Sequence, residues 1–392
     1  MLSCFASACN SHQESAPSFP TKNTTVAAPA DTLAERIAAD FDRYIRQTGQ
    51  SSPLPGMAVA LLKDSSVILL KGYGWRNAGE KQPVTTNTVF RIGSLSKGFT
   101  GILCGILVEK GILHWQDKVK QLVPEFALKD PQQTQRIELR HLLSHTTGLP
   151  YHAYTNLIEE GLSLQTIVTD YFPKAKICGK EGCFYAYQNA AFSVTGDMMQ
   201  AATGRPFPQL LHQYILQPAG MRHTSATFEA MNAETDKAQP HVWTGNSWQP
   251  QAISPAYYNT AEAGGINASI ADMAQWLKIL MGYRPDIITP HTLNDVFTPV
   301  IKTGNERRIQ GSWISRDSAS YALGWRILEH NGDTIVYHGG YVDGFRGEIA
   351  FSRRHNIGIC MLFNGDTPAT RDGIHYFFDL WERHTLSRSN KN

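Results

Sequence analysis

The distribution of strand-like and helix-like patterns constrains the fold of this chain more than any other feature. Apolar runs at 57–62 and 67–72 flank a polar turn at 63–66, as in an antiparallel hairpin. Four more such runs fall in the last third, at 322–328, 334–338, 347–351 and 357–363. Between them, from about Cys104 to Glu262, the pattern is mostly helical and broken by Pro/Gly loops. Leu33, Ile37, Phe41 and Ile45 recur four apart ahead of the hairpin, and Ile374, Phe377, Phe378 and Trp381 mark a closing helix. The expectation is an α/β (α+β) chain whose antiparallel sheet is completed by both termini and flanked by helices. It divides into a leader and tether at 1–30, a sheet domain at 31–105 and 262–392, and an inserted, mostly helical domain at 106–261. No internal repeat is evident.

At 392 residues the chain is long enough for a large domain or two associated ones, and 42% hydrophobic against 18% charged residues fits a globular enzyme. A formal net charge of +2 gives no field that would suggest nucleic acid. No run of 18 or more apolar residues offers a transmembrane span.

Chemistry enters at Ser94-Leu95-Ser96-Lys97. The spacing sets a hydroxyl and an amine one helical turn apart, so that the amine can take the proton that makes serine a nucleophile. Phe99, Ile102, Leu103, Ile106 and Leu107 follow at helical spacing, which puts Ser94 at the N-terminus of a buried helix, where unpaired amides favour developing negative charge. Taken alone, the same residues read as a helix cap and an exposed charge.

Three further segments follow in order: His141-Leu-Leu-Ser-His-Thr-Thr-Gly-Leu-Pro150, Tyr185-Ala-Tyr187-Gln188-Asn189, and His338-Gly339-Gly340 continuing to Phe345. With the serine motif they resemble the class C β-lactamase and penicillin-binding serine hydrolase family, which also contains esterases and D-amino-acid peptidases. The likeness covers about residues 33 to 385 and implies a β-lactamase/transpeptidase-like fold. It implies a Ser94 acyl-enzyme, with Lys97 and Tyr187 moving protons and Asn189 holding substrate or Lys97. The amides of Ser94 and Tyr341 would form an oxyanion hole, with Gly339 and Gly340 letting substrate approach. His338 replaces a lysine of the family pattern and Gly339 a threonine. This moves weight from β-lactams towards esters or D-amino-acid peptides, and Arg346 is a candidate replacement cation. His338, beside the site, would orient Tyr187 or touch substrate and make activity pH-sensitive between about 5 and 8. The expected partner is a small molecule or a peptidoglycan-like peptide, with no metal or organic cofactor. A penicillin-binding sensor or a non-catalytic scaffold of the same fold is the alternative. Tyr257 and Tyr258 are candidate pocket walls, though core positions suit them as well.

His141 and His145 have the spacing of helical metal ligands, but no third group accompanies them. Cys178 and Cys183 bracket Gly179-Lys-Glu-Gly182, a turn that could bring the sulfurs together in a disulfide. Met1 to Asn10 resembles the tail of a bacterial lipoprotein signal ending in Ala6-Ser7-Ala8-Cys9, with Cys9 lipidated, given an upstream start or an unusual leader. That reading implies export to the periplasm or cell envelope, with a possible lipid anchor; the plainer reading is a disordered tail.

Overall fold

The computed structural model describes residues 32–51, 54–304, 319–365 and 372–389. Cys9 and the rest of the leader lie outside the described residues.

Nine strands form one antiparallel sheet: β1 (Gly56–Lys63), β2 (Ser66–Asn77), β3 (Gln82–Pro83), β8 (Ile301–Lys302), β9 (Ala319–Tyr321), β10 (Arg326–His330), β11 (Asp333–Val342), β12 (Phe345–Ser352) and β13 (Ile357–Phe363). Their spatial order is β3-β2-β1-β13-β12-β11-β10-β9-β8. The N-terminal hairpin therefore docks on the last strand, with Met57 opposite Phe363 and Lys63 opposite Ile357. The chain ends complete the sheet, as the pattern of apolar runs requires. Two small ribbons stand apart, β4 (Val89–Arg91) with β7 (Asn267–Ser269) and β5 (His241–Trp243) with β6 (Trp248–Pro250).

Both faces of the sheet are covered, which is why β1 and β13 read as unbroken apolar runs rather than alternating ones. Met57, Val59 and Leu61 point to one face. There α1 (Thr32–Ser51) crosses the closing helix Gly373–Ser389, with Tyr44 stacked on Tyr376 at 3.8 Å. Ala58, Ala60 and Leu62 point to the other, towards α2 (Ser96–Glu109) and the remaining helices, where Phe99 of α2 stacks on Trp276 at 4.0 Å.

The expected strand at 322–328 is split. Gly324 takes φ +85° in a turn closed by Ala322 N–H to Trp325 O (2.8 Å), and β9 and β10 leave it antiparallel. Strand β10 pairs with β11 only from Asp333 to Tyr337. The stretch His338–Val342 thus keeps β12 on one side and lies open to the Gly93–Leu95 turn on the other.

Candidate active site

Ser94 sits in the single turn Gly93–Leu95 that leads into α2. Gly93 has φ +53°, and a Cβ there would stand 2.9 Å from the Tyr341 amide nitrogen. A Cβ on Gly340 would stand 2.2 Å from Ile92 O and 3.0 Å from the Ser94 nitrogen. Only glycine at these two positions lets the serine turn and the free edge of β11 approach so closely, bringing the Ser94 and Tyr341 amides into one small region.

Lys97 is fully buried one turn on. Its Nζ donates to Asn189 Oδ1 (2.7 Å) and to Ala263 O (2.7 Å), and lies 3.4 Å from Ser94 Oγ. Burial, reinforced by Arg326, holds its pKa well below the usual lysine value. Glu262, next to Ala263, supplies no counter-charge at neutral pH, since burial pushes its carboxyl up to about 8. A neutral amine has two N–H groups, and two acceptor-only oxygens engage both, leaving the lone pair for the Ser94 hydroxyl.

Asn189 opens the helix Asn189–Thr203, and its Nδ2 faces Thr155 Oγ1 (3.5 Å) and Tyr257 OH (3.4 Å). Tyr257, held at φ +69° with its hydroxyl donating to Glu159 (2.9 Å), is thereby part of the site. Tyr258 packs on the buried Arg91 instead, with the guanidinium 4.6 Å from its ring centre. The buried Tyr187 ring lies 4.8 Å from Lys97 Nζ.

Four expectations need correction. His338 is fully buried; its Nδ1 meets Gly339 O at 2.8 Å and its Nε2 meets Tyr321 OH at 3.1 Å. A carbonyl only accepts, so Nδ1 carries the proton and Tyr321 donates to Nε2. Both imidazole nitrogens are thus taken, by Gly339 and Tyr321 and not by Tyr187, and the ring has no exposed surface. Burial, then Arg326 and Lys97, keep it well below its ordinary pKa, so it stays neutral where a switch between pH 5 and 8 was expected. Arg346 pairs with Tyr341 in the ladder, on the sheet face away from His338, and its guanidinium bonds the buried Glu348, so it supplies no cation to the cleft. Gly339 also faces that far side, where a Cβ would meet Tyr337 OH at 2.6 Å and Glu348 Oε2 at 3.0 Å. Its missing side chain makes room for the Tyr337–Glu348 bond rather than for substrate. Lastly, Cys178 and Cys183 are exposed and are not joined in a disulfide. Their loop forms no hairpin, because Cys178 N–H donates to Gly148 O (2.8 Å) and Gly182 N–H to Thr146 O (2.9 Å).

The cation the site does hold is Arg326, at the start of β10. Its guanidinium carbon lies 5.2 Å from the Tyr187 ring centre and 5.5 Å from that of Tyr321. In sequence its only mark is a charge inside an apolar strand. Among the described residues no cluster of three or more metal-ligating side chains includes His141 or His145, and His141 Nδ1 caps its own helix by accepting from Glu138 N–H (3.1 Å).

The structure thus brings a serine at a glycine turn, a buried lysine and a tyrosine ring into one place. The chain belongs to the Beta-lactamase family, whose sequence model matches residues 41–380. It is 29% identical over 325 residues to unguisins hydrolase ungD' of Aspergillus campestris (strain IBT 28561), covering 79% of this chain and 58% of that one. To protein flp of Staphylococcus aureus (strain MW2) it is 26% identical over 331 residues, covering 83% and 62%. It thus spans about three-fifths of the length of these curated relatives. The octameric penicillin-binding protein homologue from Pyrococcus abyssi shares the fold, with a TM-score of 0.75 at 23% identity over 87% of this chain and 77% of that one.

Proposed function

We propose that the protein hydrolyses an ester or amide bond through a Ser94 acyl-enzyme. The observation that carries this is the hydrogen-bonding of Lys97, whose two short bonds to pure acceptors leave its lone pair facing Ser94 Oγ at 3.4 Å. Lys97 takes the serine proton as Oγ attacks the carbonyl carbon. The Ser94 and Tyr341 amides stabilise the resulting oxyanion, a type of contact in which one donor contributes about 2.7 to 4 kcal/mol. Tyr187, with its ring against the Lys97 amine, passes the proton to the leaving group, and water then releases the acid. A relative named as an unguisins hydrolase supports hydrolytic chemistry on this scaffold. The neutral His338, which offers no charge to the carboxylate of a β-lactam, weighs for a carboxylic ester or peptide over a β-lactam.

The test is steady-state turnover of a short-chain ester, a peptide ending in D-Ala-D-Ala, a penicillin and a cephalosporin, each by wild type and by Ser94→Ala. Ser94-dependent turnover of the ester or peptide above that of both β-lactams supports the reading. Faster turnover of a β-lactam would overturn the substrate preference. Lasting acylation by a β-lactam without turnover of anything would make the protein a sensor.

A further inference from the structure

Tyr187 lies in an irregular stretch, 184–188, with no helix turn or strand ladder to fix it. One residue of a neighbouring turn does so instead. Ala186 N–H donates to His145 O (3.0 Å) and Gln188 N–H donates to His145 Nδ1 (3.2 Å), so the amides on both sides of Tyr187 end on the same residue. The Tyr187 carbonyl in turn accepts from His152 N–H (2.8 Å). The His145 ring completes the seat, with its centre 4.3 Å from that of Tyr187, 4.7 Å from Tyr321 and 5.3 Å from Phe192.

The fold accepts two local costs at this residue. His145 holds φ +59°, in the left-handed region, where a side chain other than glycine is strained. Because Gln188 N–H can only donate, Nδ1 is bare and the proton sits on Nε2; that buried Nε2 has no hydrogen-bond partner among the described residues. Burial, then Lys97, Arg326, His338 and His152, keep the ring neutral and so keep Nδ1 an acceptor.

We propose that His145 is a positioning residue for Tyr187, holding the phenol against Lys97 by accepting both flanking amides. This rests on the reading of Tyr187 as the group that returns the proton to the leaving group. A displaced Tyr187 therefore harms substrates whose leaving group needs a proton, and spares those whose leaving group departs as a stable anion. A general structural defect would slow both alike.

The experiment compares ethyl butyrate with p-nitrophenyl butyrate in wild type, Ser94→Ala, His145→Gln, His145→Ala and His145→Asn. Asparagine tolerates the left-handed backbone and carries Oδ1 where Nδ1 stands, while glutamine fills the volume without placing an acceptor there. In the Gln and Ala variants kcat for the ethyl ester should fall about 10- to 100-fold, as misplacement by about 1 Å does, with KM little changed. The same variants should lose less than about threefold on the p-nitrophenyl ester, and Asn should restore the ethyl ester to within about threefold of wild type. Hydrogen exchange in a peptide spanning 184–190 should be faster in Gln and Ala than in Asn. Equal losses on both esters, an Asn variant as poor as Gln, or Gln and Ala variants indistinguishable from wild type would overturn the inference alone. A wild type with no Ser94-dependent turnover of either ester would remove the acyl-transfer reading, and the inference with it.

Discussion

Lys97 is the residue on which the proposed chemistry turns, and its environment makes opposite demands on activity and stability. In the native protein burial, then Arg326, hold the pKa of the amine well below the ordinary lysine value of 10.5 to which the unfolded chain returns it. Between the two values the unfolded state binds the extra proton, so the stability tied to this group rises with pH and falls as pH drops towards the native pKa. Replacing Lys97 with Met should flatten the slope of unfolding free energy against pH on the acid side of the ordinary lysine value of 10.5, as followed by denaturant titration. The same change should slow acylation by about 10²- to 10⁴-fold, the span of a lost general base. An unchanged slope would mean that the native amine is charged. His338 makes a simpler prediction. Its ring is buried and neutral, so the His338→Gln protein, even if slower, should show a rate profile of unchanged shape between about pH 5 and 8. These residues were legible in the sequence as chemical types at the right spacing. Their protonation was not, because it depends first on burial and then on Arg326, a charge that arrives from a strand 229 positions beyond Lys97 in the numbering.

At the level of elements, the site is a meeting of one turn, one strand edge and one helix start. The turn Gly93–Leu95 contacts β11 closely because Gly93 and Gly340 carry no side chains. Gly340→Ala puts a methyl 2.2 Å from Ile92 O. Overpacking of this kind costs about 1 to 3 kcal/mol, to be read from denaturant midpoints, and acylation should fall by about tenfold or more as the two amides part. A Gly340→Ala protein with wild-type acylation would separate the strand edge from the oxyanion contact. The sequence exposed the helix at 96–109 and the strands around it through their periodicity. It did not reveal that 322–328 turns back at Gly324, since an apolar run carries no sign of a bend inside it. Nor could alternation alone tell which glycine of Gly339-Gly340 faces the serine. That follows from the pairing of β11 with β12, which turns Gly340 towards Ser94 and Gly339 towards Glu348.

For the whole molecule, the sheet is closed by its termini, with α1 and the closing helix packed together over one face. This was legible because apolar runs sit at both ends of the chain, and length alone leaves few ways to bury them. The loop at 178–183 carries turn residues that suggest a hairpin, but its amides bond to Thr146 and Gly148 instead. Of Cys104, Cys178, Cys183 and Cys360, a water-soluble thiol reagent should label Cys178 and Cys183 in the native protein and the other two only after unfolding. Mass mapping without reduction that recovers 178 and 183 as one linked peptide would contradict the unbridged pair. The most direct test of the central claim is rapid-quench intact mass and peptide mapping after brief exposure to a short-chain activated ester near neutral pH. The account predicts one acyl group on Ser94 in wild type and none in Ser94→Ala; an adduct elsewhere, or undiminished turnover by Ser94→Ala, would contradict it.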